Sequence, residues 1–435
     1  MNIEFSKHTL ANGLNVLLHE DRSCPIVAVN LWYHVGSKNE TPGHTGFAHL
    51  FEHLMFEGSE HHDKGFFQPL QGAGASLNGS TNADRTNYWE VVPSNALELA
   101  LWMESDRMGY LLPALTDAKF KNQRDVVLNE RRQNYENRPY GLAPMAMLAA
   151  LFPPDHPYHW TTIGEIDDLH AATIDEVREF FRTYYHPANA SLAIAGDIDP
   201  NETLDLVGGY FGGIAGGPPV APVQPADVLL EGERRLLLAD RVELPRLYVA
   251  WITPAMFDAD DAELDLAADV LANGKTSRLY KRLVYDERIA TDVSASQNSR
   301  EAGGFFQVAA TAAPGHSLAE IARAIDEEIA RVATDGPTAD EIERGRVQVE
   351  AQFMFRLQSV GGFGGKSDQL NAYNVLVGDP DFFGRDLDRY QRVTVGSMQS
   401  AVGKHLANSR RVMLSLVPRD RVSLAIPDSS PARVS

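Results

Sequence analysis

The chain has 435 residues, 44% hydrophobic and 23% charged, a globular composition too long for one ordinary core, so about two to three domains are expected. Its 59 acidic against 39 basic residues give a formal charge of −20, which argues against nucleic acid or an anionic membrane surface as the main partner. The single cysteine, Cys24, excludes an intramolecular disulfide and speaks against thiolate metal ligation.

The opening residues MNIEFSKHTLANGLNVLLHE lack a basic segment followed by a long apolar one, so no signal peptide is expected. No apolar run approaches the roughly 18 residues of a membrane span, and a cytoplasmic, bacterial-type protein without a membrane span is the expectation. Next, NVLLHEDRSCPIVAVNLWYHVGS is an alternating, β-branched run that predicts strands, and a helical segment begins near Gly46. Residues 98–112 and 175–185 carry helical periodicity, and ASLAIAGDI (190–198) reads as a strand. The stretch GYFGGIAGGPPVAPVQPADV, 209–228, is dense in Gly and Pro and reads as a linker.

The second half opens like the first. RRLLLADRVELPRLYVAWITP predicts two strands, and residues 260–284 predict a helix on which Leu266 and Val270 are core positions. Helices follow at 317–333 and 339–357, with a late strand in RVMLSLVP. The pattern indicates an internal duplication with a period of about 210 residues. The expected fold is α+β, two tandem homologous domains, each an antiparallel sheet with helices packed to one side: 1–212, a linker over 213–230, and 231–435.

One stretch carries chemistry. In GFAHLFEHLMFEGS, 46–59, His49, Glu52 and His53 fall at i, i+3 and i+4 of an otherwise apolar helix, hence on one face. Burying two imidazoles and a carboxylate without compensation would cost several kcal/mol, and a metal removes that difficulty. Two imidazoles so spaced can reach one Zn²⁺ at about 2.0–2.1 Å, leaving the glutamate to hold water. The order His-x-x-Glu-His reverses the commoner zinc-protease helix. A catalytic zinc needs a third ligand and an open position. The candidate is Glu130, in a helical stretch following Val126, Val127 and Leu128.

With these blocks, and with LANGLNVLLHED, GASLNGSTNADRTNYW, HPYHWTTIGEIDDL and YYHPANASLAIAGDI, the sequence resembles the pitrilysin/insulinase family of inverted-zincin metallopeptidases, of the mitochondrial processing peptidase and small bacterial type. The resemblance covers essentially the whole chain. It implies one Zn²⁺ per chain held by His49, His53 and Glu130, Glu52 as general base, and peptide substrates. It also implies that Asn78 and Gly79 lie on an edge strand that pairs with extended substrate, Gly79 standing where alanine is more usual. The implied fold is two homologous α+β domains per half-molecule.

Departures from the family pattern are informative. Aligning the helices of the two halves sets Asp265, Ala268 and Asp269 against His49, Glu52 and His53, so metal is expected in the first domain alone. In LVYDERIATDVSA, Val284 and Thr291 replace the Arg and Tyr that contact the substrate carbonyl in the family. That implies a heterodimer whose homologous partner subunit carries the pair. A self-sufficient homodimeric peptidase, a non-catalytic structural subunit like the respiratory-complex core proteins, and a hydrolase of non-peptide substrates are the alternatives. Gln123 stands seven residues before Glu130, where many members have a second glutamate, and can hydrogen-bond behind the ligands without adding charge. The glycine-rich SVGGFGGKSDQ, 359–369, lacks phosphate-loop spacing and reads as a substrate-covering loop or a plain connection. The histidines of EHHDKG and DHPYHW have no i, i+4 partners and read as loop residues.

Overall fold

A computed structural model describes residues 3–434 as two compact units. The first unit is built on strands β1 (Ser6–Thr9), β2 (Asn15–Glu20), β3 (Ile26–Tyr33), β4 (Ser76–Thr81), β5 (Thr86–Pro93) and β6 (Ala190–Gly196). Their order in the sheet is β1-β2-β6-β3-β5-β4. All neighbours are antiparallel except β2 and β6, which run parallel. The β4–β5 hairpin closes at Thr81↔Thr86. There the Asn82 Oδ1 accepts from the Asp84 and Arg85 N–H groups at 2.8 and 2.9 Å, the side-chain turn that asparagine favours. Strand β4 is therefore the free end of the sheet.

Alternation sorts β3 and β5 into two faces. Val27, Val29, Leu31, Tyr33, Tyr88 and Glu90 point one way, toward the helices α1 (Phe47–Leu54) and α3 (Leu97–Ala114), while α2 (Phe67–Gly72) packs against β4. Ala28, Asn30, Trp32, Asn87, Trp89 and Val91 point the other way. That second face is covered as well, by residues 359–376, which belong to the same compact unit. Gly361 lies so close to Ala28 and Val91 that a Cβ there would stand 2.4 and 2.7 Å from their side chains. Phe363 meets Trp89 edge-on at 5.4 Å. Asp368 Oδ1 accepts from Trp32 Nε1 at 2.8 Å, Asn87 Nδ2 at 3.1 Å and Asn30 Nδ2 at 3.4 Å, while its Oδ2 takes the Gly364 N–H at 2.7 Å. Lys366 pairs with Asp21 at 2.6 Å, and Asn371 and Asn374 bond to Asn30 and Ser191. The glycine-rich stretch is thus a docked plug, more than a plain connection, because the sheet presents polar groups that only this segment satisfies.

The second unit repeats the plan with β7 (Arg234–Asp240), β8 (Arg246–Thr253), β9 (Ala290–Asn298), β10 (Gly304–Ala312), β11 (Val412–Pro418) and β12 (Ser430–Pro431). Its order is β12-β7-β11-β8-β10-β9, with β7 parallel to β11 and β11 antiparallel to β8. Removing the flanking β1 and β12 leaves the same five-strand topology in both units, which accounts for the two matching sequence halves. Here the helix Ala143–Leu151 packs on β11 and β8, the strands equivalent to those under the plug.

Expected boundaries at 212 and 231 follow the chain, whereas the compact units exchange two segments: 352–385 belongs to the first and 131–160 to the second. The reason is burial. Every residue of β3 after Ile26, and every residue of β11, is buried, so each central strand needs cover on both faces rather than helices on one. Residues 217–231 have no regular structure, as the Gly/Pro-rich composition indicates. Among the described residues no helix is long and apolar enough to cross a membrane.

Candidate metal centre

Helix α1 is anchored before its chemistry begins. Gly46 adopts φ 85°, and the buried Glu40 carboxylate accepts from the Gly46 and Ala48 N–H groups, both at 2.9 Å, so a negative charge caps the helix N-terminus. Phe47, Ala48, Leu50, Phe51 and Leu54 are buried and fix the rotation of the helix. The opposite face then carries His49 and His53, whose rings meet edge-on at 4.8 Å.

Helix α4 (Asp117–Arg131) brings Glu130 to them near its C-terminal end. Its Oε2 lies 3.6 Å from His49 Nε2 and 3.4 Å from His53 Nε2, and one ligand atom from each of the three residues falls within 4.8 Å of the others. Tetrahedral zinc ligands at about 2.1 Å are separated by about 3.4 Å, so the donor set and spacing fit a zinc ion. Burial and the neighbouring His53 pull His49 down to about 4, leaving it neutral, the form that ligates. Burial also pulls on His53, but the Glu130 and Glu52 carboxylates outweigh it and the net shift is upward.

Glu52 shares the helix. Burial pushes its carboxyl up, against the pull of the neighbouring Thr81 side chain and the charges of His53 and Arg85. Arg85 is held in turn: its Nη1 donates to Ser80 O at 2.8 Å, and its guanidinium lies 5.2 Å from the Trp32 ring centroid. Thr81 and Arg85 were not singled out in the sequence, where they lie inside the block GASLNGSTNADRTNYW. Gln123 lies on α4, two turns before Glu130, with its Oε1 3.3 Å from His53 Nδ1 and its amide nitrogen donating to Glu57. Glu57 also escaped the sequence reading, because it lies three residues beyond the end of α1.

Asn78 and Gly79 are on β4, opposite Trp89 and Tyr88, and Asn78 Oδ1 accepts from the Gly79 N–H at 2.8 Å. A Cβ on Gly79 would stand 3.1 Å from the Phe56 and Tyr88 rings, so an alanine fits here only if a ring gives way by a few tenths of an ångström. In the second unit Ala268 is buried, Asp265 accepts from the Tyr390 hydroxyl at 2.9 Å, and Asp269 bonds Asn273. The His49, His53, Glu130 trio is the one metal-type cluster among the described residues. Thr291 is exposed on β9, bonded to Asp292 at 3.2 Å, and Val284 is half-buried. Of the loop histidines, His61 bonds Asp106 at 2.5 Å, while His156 is buried against Phe152 and pulled down to about 4 by desolvation.

Residues 15–155 match the family model "Insulinase (Peptidase family M16)", and residues 171–349 match "Peptidase M16 inactive domain". The metal-type cluster falls in the first of these regions. The chain is 30% identical over 405 residues to an uncharacterized zinc protease of Mycobacterium leprae, covering 92% of this chain and 89% of that one. It is 27% identical over 385 residues to the zinc protease PqqE of Helicobacter pylori, covering 87% and 86%. The fold matches the crystal structure of a protease from Helicobacter pylori with a TM-score of 0.88 at 24% identity, over 95% of this chain and 100% of that one. On this similarity along nearly its whole length, the chain belongs to the insulinase (M16) family of zinc peptidases.

Proposed function

We propose that the chain is the zinc-bearing subunit of an endopeptidase acting on extended, unfolded peptides, completed by a homologous partner subunit. The observation that carries this is the convergence of His49, His53 and Glu130 within 4.8 Å, with Glu52 on the same helix. Zinc, when bound there, supplies the Lewis acidity that acidifies water and polarises a peptide carbonyl. Glu52 is the proton carrier: its raised affinity for a proton lets an Oε take one from water and return it to the leaving amine. Strand β4, at the end of its sheet, offers backbone groups to which an extended peptide adds as a further strand, with Asn78 and Gly79 at the contact. The domain division at 213–230 belongs to the same reading, each half being one copy of a duplicated unit.

The partner is inferred from Val284 and Thr291, which offer no hydrogen-bond donor pair of the Arg/Tyr kind to a substrate carbonyl. Zinc analysis of the purified chain tests the site: about one zinc per chain is expected, and none in His49→Ala; unchanged zinc in that variant ends the assignment. Peptidase assays on unfolded peptides test the rest. Poor cleavage by the chain alone, restored by a homologue bearing the pair, supports the two-subunit reading. Full activity of the isolated chain selects the self-sufficient homodimer, and none under any pairing selects a structural subunit.

A further inference from the structure

The two imidazoles facing Glu130 are not held alike. His49 Nδ1 is buried without a hydrogen-bond partner, whereas His53 Nδ1 faces Gln123 Oε1 at 3.3 Å. The Gln123 amide is itself pinned at its other end, its Nε2 donating to Glu57 Oε1. An ionised carboxylate only accepts, so Glu57 allows one orientation of that amide, nitrogen toward Glu57 and oxygen toward His53. The oxygen in turn accepts only from a protonated Nδ1, so in the neutral ring the lone pair falls on Nε2, 3.4 Å from Glu130, on the side a metal would take.

We propose that Glu57 is a positioning residue which acts through Gln123 to set the tautomer and ring orientation of His53. It rests on the zinc reading given above. A carboxylate at the place of Gln123, where many family members have a glutamate, could accept from His53 directly. In this chain the carboxylate sits one residue further out, on α1's own C-terminal extension, and an amide carries its directing effect inward. The arrangement makes the two positions interdependent. Gln123→Glu alone sets two carboxylates against each other at hydrogen-bond distance, and Glu57→Gln alone leaves an amide facing an amide with no fixed orientation. The double variant Gln123→Glu/Glu57→Gln restores a donor–acceptor chain running the same way, with the carboxylate introduced at position 123 accepting from both His53 and the new amide.

Zinc affinity of the full chain, measured by chelator competition, is the readout, with ¹⁵N NMR of the histidine rings reporting the His53 tautomer in the metal-free protein. Each single variant is expected to weaken zinc binding about 10- to 100-fold, the usual cost of losing a group behind a ligand. Glu57→Gln is expected to mix the His53 tautomers, and the double variant to recover affinity to within about threefold of the parent. Thermal melts identify any variant that misfolds; Glu57→Ala serves as the second variant if Glu57→Gln does. Unchanged affinity in both single variants, or additive losses in the double variant, overturns the relay while leaving the zinc site standing. A parent chain that binds no zinc instead ends the underlying reading.

Discussion

Asp368→Ala should detach the plug from the first sheet. Its carboxylate accepts from Trp32 at 2.8 Å and Asn87 at 3.1 Å, with Asn30 at a longer and weaker 3.4 Å, and all three residues are 4% or less exposed, so water cannot replace the lost acceptor. A buried donor left without a partner costs about 1–3 kcal/mol, so the two closer ones alone amount to about 3 kcal/mol, at the upper end for one substitution. The Gly364 N–H, half-exposed, rehydrates at little cost. Urea titration followed by far-UV circular dichroism measures this as a lowered midpoint, the two units being fitted separately if they melt apart. Limited proteolysis locates it: cleavage beside the exposed Phe363 should appear in the variant first. Asp368→Asn keeps the shape and one acceptor, and should cost about 1–2 kcal/mol. A midpoint within about 0.5 kcal/mol of the parent for Asp368→Ala, with unchanged cleavage, refutes the reasoning that this carboxylate holds the segment to the sheet.

Gly79→Ala places a methyl 3.1 Å from the Phe56 and Tyr88 rings and should cost about 1 kcal/mol by overpacking; a gain in melting temperature would show that Phe56 yields freely. Asp265, the counterpart of His49, is held at about 6 by burial. Because its folded pKa is raised above the ordinary value near 4, its contribution is fully present below pH 4 and lost as pH rises through 6. Asp265→Asn keeps an acceptor for Tyr390 and should therefore stabilise the chain by on the order of 1–2 kcal/mol at pH 8 and by nothing near pH 4; an equal effect at both pH values contradicts the burial argument.

Local regularities carried much of this into the sequence. The strand–helix pattern of each half, the capping boxes at Thr173 and Ser317 that start Ile174–Tyr184 and Leu318–Asp335, and the linker composition all depend on neighbours within a few residues. Burial on both faces was also legible in principle: apart from Asn30 and Ser415, IVAVNLWY and VMLSLVP are apolar throughout, not the alternation expected for the first of them, and such near-continuous runs mark strands covered twice. What covers them was not legible. Nothing near Asp368 in the chain announces that Trp32, Asn30 and Asn87, more than 280 residues away, need an acceptor.

By itself the sequence determined that His49, Glu52 and His53 share one face of a helix, because 3.6 residues per turn is a property of the backbone and needs no other segment. It also determined that the second half has no such trio, since Asp265, Ala268 and Asp269 occupy the matching positions. Only the tertiary structure decided that Glu130 closes the cluster at 3.4 and 3.6 Å, that Arg85 brings its charge near Glu52, and that Gln123 stands between Glu57 and His53. Those meetings depend on how α1, α4 and the β4–β5 hairpin pack. Packing is set by the sum of many weak contacts over the whole core, which no short stretch of sequence contains.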